Sequence, residues 1–170
     1  MFLAKIGQEE KAAKETNAVF KDEITFQKLT VETFFRKKGE VKKVTHLAFP
    51  GYIFVTTKIK NDEFVMRAQE CVYKSEATIQ LLRYSDTHEA AMHQKERAAL
   101  DYLWQGKDCI EASKGFIKGD RFFITDGPLI GRESIIKKIH PRRRQAIVEI
   151  EIMGGVQLTA VGLEILERLP

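Results

Sequence analysis

No apolar run in this chain approaches the ~18 residues that a membrane-crossing helix requires. Cysteine is scarce: Cys71 and Cys109 are the only two. They offer no disulfide framework and no metal-ligand spacing, and two unpaired thiols are their plain reading. Serine is confined to Ser75, Ser85, Ser113 and Ser134, none in a nucleophile-elbow pattern. The run His88-Glu89-Ala90-Ala91-Met92-His93 imitates a zinc-protease helix, but its histidines are five apart. At ~100° per residue that turns them ~140° away from each other, too far to share a metal. Gly127-Pro128-Leu129-Ile130-Gly131 lacks the Lys-Ser/Thr ending of a phosphate-binding loop. No nucleophile, base and orienter can be assembled from spacing. The expectation is therefore not an enzyme, with no cofactor and no metal. The opening Met1-Phe2-Leu3-Ala4-Lys5 runs straight into Gln8-Glu9-Glu10-Lys11, unlike a signal peptide, which makes the expected location cytoplasmic.

What the chain does have is an ordinary globular composition, 44% hydrophobic and 31% charged, over 170 residues. That length allows one domain or two small ones. The net charge of +4 is unevenly placed. Between 132 and 144, Arg132, Lys137, Lys138, Arg142, Arg143 and Arg144 face Glu133 alone, a local +5, while the rest of 107–170 is −3. Charge concentrated in this way argues for a contact patch.

Periodicity predicts a helix from Gln8 to Phe20 with Ala12, Ala13, Thr16 and Phe20 on one face. Strands are expected at 24–26, 30–36, 41–46 and 50–58, with a turn at Lys38-Gly39-Glu40. Asn61 is placed to cap a second helix carrying Phe64, Ala68 and Val72. A third is expected from Asp86, with Glu89 completing a capping box, a stripe of Met92, Ala99, Leu100 and Leu103, and an end at Gly106. Residues 107–116 show no clean period and read as a linker. Beyond them come short alternating runs at 121–125, 134–139, 146–153, 156–161 and 163–166. They are broken by Asp126-Gly127-Pro128, His140-Pro141 and Gly154-Gly155. Five short strands in about fifty residues predict a small curled β-barrel. The expected fold class is α+β: an N-terminal α/β sandwich over 1–106, a linker over 107–116, and a barrel over 117–170.

Two motifs carry a resemblance. Phe49-Pro50-Gly51-Tyr52-Ile53-Phe54-Val55 resembles the strand motif of the NusG N-terminal (NGN) domain, which is ferredoxin-like. Gly119-Asp120, Asp126-Gly127-Pro128-Leu129, Gly131 and Ile136 resemble the KOW motif of the family's C-terminal, SH3-like barrel. Gly7-Gln8-Glu9-Glu10-Lys11 matches the opening of the first helix. The resemblance spans nearly the whole chain with both motifs in order. It implies a bacterial transcription elongation factor whose N-terminal domain holds the clamp helices of RNA polymerase. The KOW domain would take a second partner: termination factor Rho, ribosomal protein S10, or nucleic acid. The chain departs from housekeeping members by lacking a Trp-Tyr pair in its first strand. It also reads Met153-Gly154-Gly155-Val156-Gln157 where they carry a Phe-Gly-Arg turn and Thr-Pro. Its dense basic segment and Gly-Pro-Leu-Ile-Gly form look like specialised antiterminators of the LoaP type. A housekeeping NusG and a ribosome-associated KOW protein are the alternatives.

The expected RNA-binding residues are Arg132, Lys137, Lys138, His140, Arg142, Arg143 and Arg144. Several fixed cations release counterions from phosphates, and Arg can fork onto phosphate or a guanine edge. A structured RNA hairpin is the expected ligand, with DNA the other nucleic acid admitted. A solvated loop paired with Glu149 and Glu151 is the plain alternative. Lys137 and Lys138 are expected on opposite strand faces, so one joins the patch. For RNA polymerase, the resemblance implies Phe49, Tyr52 and Phe54. Alternation sets Tyr52 and Phe54 on one face and Phe49 or Ile53 on the other, and an all-core role is the plain reading. A second basic run, Arg36 to Lys43, surrounds a hairpin tip and reads either as an approach to DNA near the polymerase cleft or as a solvated turn.

Overall fold

A computed structural model describes residues 1–119 and 121–169; Asp120, part of the KOW-like motif, lies outside the described residues. The chain is mixed α+β, with twelve strands in three sheets and three α-helices among the described residues. It divides into two compact units that interleave along the sequence: 1–28 with 49–94, and 29–48 with 95–170. The expected division at 106 and 117 follows chain order, whereas these units do not.

The first unit runs β1 (Phe2–Ala4), α1 (Glu9–Phe20), β2 (Ile24–Gln27), then, after an excursion, β5 (Tyr52–Thr57), α2 (Asn61–Lys74) and β6 (Thr78–Leu81). Its sheet has the order β2-β5-β1-β6, and every neighbouring pair is antiparallel. One face is buried under the helices. Phe2, Phe20 and Phe64 meet there with ring centroids 5.2 to 6.5 Å apart, joined by Ala12, Ile53, Ala68 and Cys71. Burial pushes the Cys71 thiol pKa up, so it is a core residue rather than a reactive one. The helical spacing of Ala12, Thr16 and Phe20 is observed as expected. Asn61 does not cap α2; Lys60 holds that position without a side-chain hydrogen bond.

The third helix begins later than its periodicity predicts. Residues 82–93 fold back on themselves instead. Tyr84 and His93 stack with centroids 3.8 Å apart, and the His93 N–H donates to the Tyr84 hydroxyl at 2.9 Å. His88 takes a left-handed φ of 57°, which no helix interior accepts. The helix α3 therefore spans Gln94–Trp104.

The second unit holds the excursion, a hairpin of β3 (Thr30–Lys37) and β4 (Glu40–Leu47). Lys38 and Gly39 both have positive φ, 51° and 87°. That is the two-residue turn whose twist suits a hairpin. The segment 107–116, expected to be a linker, is structured: β7 (Cys109–Ile110) pairs parallel with β3, and β8 (Ser113–Lys118) follows. Its missing periodicity has a cause. β8 buries Ser113 and Gly115 in place of apolar side chains, and a Cβ on Gly115 would lie 2.3 Å from the Phe123 carbonyl oxygen.

The remaining strands are β9 (Arg121–Asp126), β10 (Ile136–His140), β11 (Gln145–Ile152) and β12 (Gly155–Leu169), in a five-stranded sheet ordered β10-β11-β12-β8-β9. The two runs expected at 156–161 and 163–166 are one strand. Its first half pairs antiparallel with β11 and its second half parallel with β8. Gly162 bridges the halves, and a Cβ there would sit 2.9 Å from the Glu32 carbonyl and 3.3 Å from the Phe34 ring. The alternation of Ala146, Val148, Ile150 and Ile152 is observed: all four are buried. At the other end of this sheet, Asp126-Gly127-Pro128 forms a latched corner. The Leu129 N–H donates to the fully buried Ser113 hydroxyl at 3.1 Å, and Leu129 is itself fully buried.

Candidate nucleic-acid interface

The basic segment is held by a four-residue connection. His140 pairs with Gln145 across β10 and β11, and Pro141–Arg143 form a single 3-10 turn with proline at its start. Arg144 closes it in a left-handed conformation, φ 51°. Proline pre-sets the first φ of the turn. The Arg144 N–H returns to the Pro141 carbonyl at 3.1 Å, so the tip is a defined structure.

The seven expected residues fall into two groups. Four are engaged or set back. Arg132 is half-buried, with its guanidinium 4.1 Å from the centroid of the Tyr102 ring. Lys137 pairs with Glu149 at 2.9 Å. Arg144 pairs with Glu164 at 2.8 Å and lies 5.7 Å from the Phe34 ring centroid. His140 is half-buried. Three remain open: Lys138, Arg142 and Arg143 are exposed, with no carboxylate among the described residues within ion-pair reach. A register irregularity between Ile136 and Lys138 breaks strict alternation at Lys137. Lys137 is nonetheless the one drawn to Glu149 and Lys138 the one left open. Two adjacent, uncompensated guanidinium groups on a turn fixed by flanking strands can take phosphate oxygens.

Helix α3 buttresses this unit through contacts that periodicity could not show. The Tyr102 hydroxyl donates to the Ile130 carbonyl at 2.9 Å, and the Trp104 indole N–H to Thr30 at 3.1 Å. Buried Glu96 accepts both the Met153 and Gly154 N–H groups at 2.9 Å, one on each carboxylate oxygen. Those two residues, with φ 52° and 72°, form the β11–β12 turn, one position earlier than the expected Gly154-Gly155. Charge-assisted hydrogen bonds of this kind contribute about 1.5–3 kcal/mol each before solvation of the freed groups is counted. Glu96→Ala should therefore lower stability by about 2 kcal/mol and accelerate amide exchange at Met153 and Gly154. Exchange at the parent rate would show that the carboxylate does not hold the turn.

A second carboxylate, Glu32, ties β3 to the chain entering β8. It accepts the Ala112 N–H at 3.0 Å and pairs with Lys43 at 2.9 Å. Burial pushes its pKa up, but these two partners outweigh burial and hold it below the ordinary value. The stability it adds is thus present above the unfolded carboxylate pKa of about 4.3 and fades as acid protonates it.

In the first unit, Phe49, Tyr52 and Phe54 gather on the sheet face opposite the helices, since Ile53 and Val55 point into the helix-covered core. Phe49 joins the face of Tyr52 and Phe54, contrary to the expected alternation. Its ring centroid lies 6.3 Å from that of Tyr52 and 5.9 Å from that of Phe54. The reason is the turn between them: Gly51 has φ 83°, and the Tyr52 N–H returns to the Phe49 carbonyl at 3.1 Å. Phe49 and Phe54 are buried, at 4% and 8% exposure, while Tyr52 is half-buried. Tyr52 is thus the member of the cluster that solvent reaches. No helix among the described residues is long and apolar enough to cross a membrane. In a comparison with protein-family models, no family matches the chain.

Proposed function

We propose that this protein is a NusG-type transcription elongation factor that promotes processive antitermination, recruited by an RNA hairpin. Its first unit would engage the RNA polymerase clamp helices, and its C-terminal strands would grip the transcript. The β-α-β-β-α-β order and antiparallel sheet of the first unit support an NGN-like, ferredoxin-like reading. The five-stranded sheet, with its Ser113-latched Gly127 corner, supports the KOW reading as a small SH3-like barrel.

The observation that carries the reading is the Arg142–Arg143 pair, held on a proline-started turn without carboxylate compensation among the described residues. Joining a polymerase contact to a transcript contact in one chain raises the effective concentration of each partner for the other. The direct test is retention on stalled elongation complexes. The protein should stay bound to complexes whose transcript carries a stem-loop. It should wash off more readily from complexes trimmed of RNA, and from RNA alone. No retention on polymerase in any of these forms overturns the proposal.

A further inference from the structure

We infer that the tip of the β3–β4 hairpin and the 141–144 loop form one cationic track that grips the phosphate backbone of a single structured RNA. Both elements belong to the same compact unit, and two contacts set the loop against the strand that leads to the tip. The Arg144 guanidinium lies over the Phe34 ring of β3 at 5.7 Å. Gly162, which pairs with Gln145 at the end of that loop, presses against Glu32 and Phe34 closely enough to exclude a Cβ. The loop therefore abuts the middle of β3. Arg36 lies two residues beyond Phe34 on the same face, about 7 Å further along, and Lys38 at the turn is about 13 Å away.

The charges along this seam are sorted. Carboxylates at the seam are engaged within the protein: Glu164 by Arg144, Glu32 by Lys43 and the Ala112 N–H, and Glu111 by Lys107. At the tip, Lys42 is paired with Glu40. On either side stand cations without a carboxylate in reach among the described residues: Arg36 and Lys38 at the hairpin, with Lys37 on the alternate face of β3, and Lys138, Arg142 and Arg143 at the loop. All six are exposed. β4 is exposed along nearly its whole length, so the hairpin presents its charges to solvent. Like charges gathered on one unit repel, and an anionic strand laid along the track relieves that repulsion. Structured RNA fits because its recognition runs through backbone and shape, and side chains cannot enter its deep major groove.

The inference rests on the nucleic-acid reading of the loop, and the salt dependence of binding separates the two claims. The probe is an RNA stem-loop of about 20 base pairs, long enough for a backbone contact to form without the natural target. Its affinity is measured from low to moderate salt for the parent and for two variants, R36Q/K37Q/K38Q and R142Q/R143Q. Each neutralised phosphate contributes about 0.7–0.9 to the slope of log affinity against log salt. The hairpin variant should lose about two units of slope and the loop variant slightly less. The combined variant should lose both amounts, with one RNA bound per protein throughout. Affinity of the hairpin variant should fall on the order of 10- to 100-fold at low salt. R36K, which keeps the charge, should retain the parent slope. A hairpin variant with the parent's slope beside a weakened loop variant overturns this inference and leaves the loop's role standing. Parent behaviour in both variants removes both. A B-DNA duplex of equal length bound as tightly, with the same slope losses, overturns the choice of RNA.

Discussion

Tyr52→Asp should remove RNA polymerase from a pull-down with this protein while leaving its affinity for a stem-loop RNA unchanged. Tyr52 is the half-buried member of an aromatic cluster whose other two rings are nearly inaccessible, so a partner reaching that face meets Tyr52 first. A buried aromatic at the centre of an interface typically contributes 2 kcal/mol or more, about thirtyfold in affinity. A carboxylate placed there adds an unpaired charge to desolvate. The two units make the control available: Tyr52 lies in the first, and every expected RNA-contacting cation lies in the second. Tyr52→Ala serves as the companion variant, since it removes the ring without adding charge. Polymerase recovered at the parent level with both variants overturns the assignment of this face.

Gly127→Ala should destabilise the second unit by about 2–6 kcal/mol, the sum of two separate costs. The backbone φ of 96° is a conformation that L side chains rarely adopt, at about 1–3 kcal/mol. A Cβ would also sit 2.7 Å from both the Ser113 Cα and its hydroxyl, and overpacking of this kind costs about 1–3 kcal/mol. The same Ser113 hydroxyl accepts the Leu129 N–H, so displacing it leaves that buried amide unsatisfied. In a unit of this size each kcal/mol shifts Tm by about 4–8 °C, so a drop of at least about 8 °C is expected. A Tm within a degree or two of the parent would mean that the corner yields, and that the close approach to β8 is not what demands glycine.

Elements whose signal was local were legible in the sequence. The β11 alternation, the face of α1 and the basic segment all follow from the spacing of neighbouring residues. Where long-range contacts decided the outcome, the pattern was silent. β8 has no period because its inward positions are Ser113 and Gly115, chosen by the Leu129 amide and the Phe123 carbonyl. Asp86 and Glu89 look like a helix cap, but the Tyr84–His93 stack folds that stretch into a loop and α3 starts later. In the candidate site, the cations could be counted from the sequence, but not which of them are free. Glu164 is twenty residues from Arg144 in sequence, and Phe34 and Tyr102 are more remote from their guanidinium partners still. Only the fold separates Arg142 and Arg143 from the neighbours that are already engaged.

In the proposed function this arginine loop is the protein's handle on RNA. The measurement that tests it most directly is the equilibrium affinity of the full chain and of R142A/R143A/R144A for the same stem-loop RNA at one low salt concentration, with thermal melting to confirm that both are folded. A loss on the order of 100-fold is expected for the variant, most of it from the two exposed arginines, so R142A/R143A should reproduce nearly all of it. Equal affinity for parent and variant, with both folded, would contradict it.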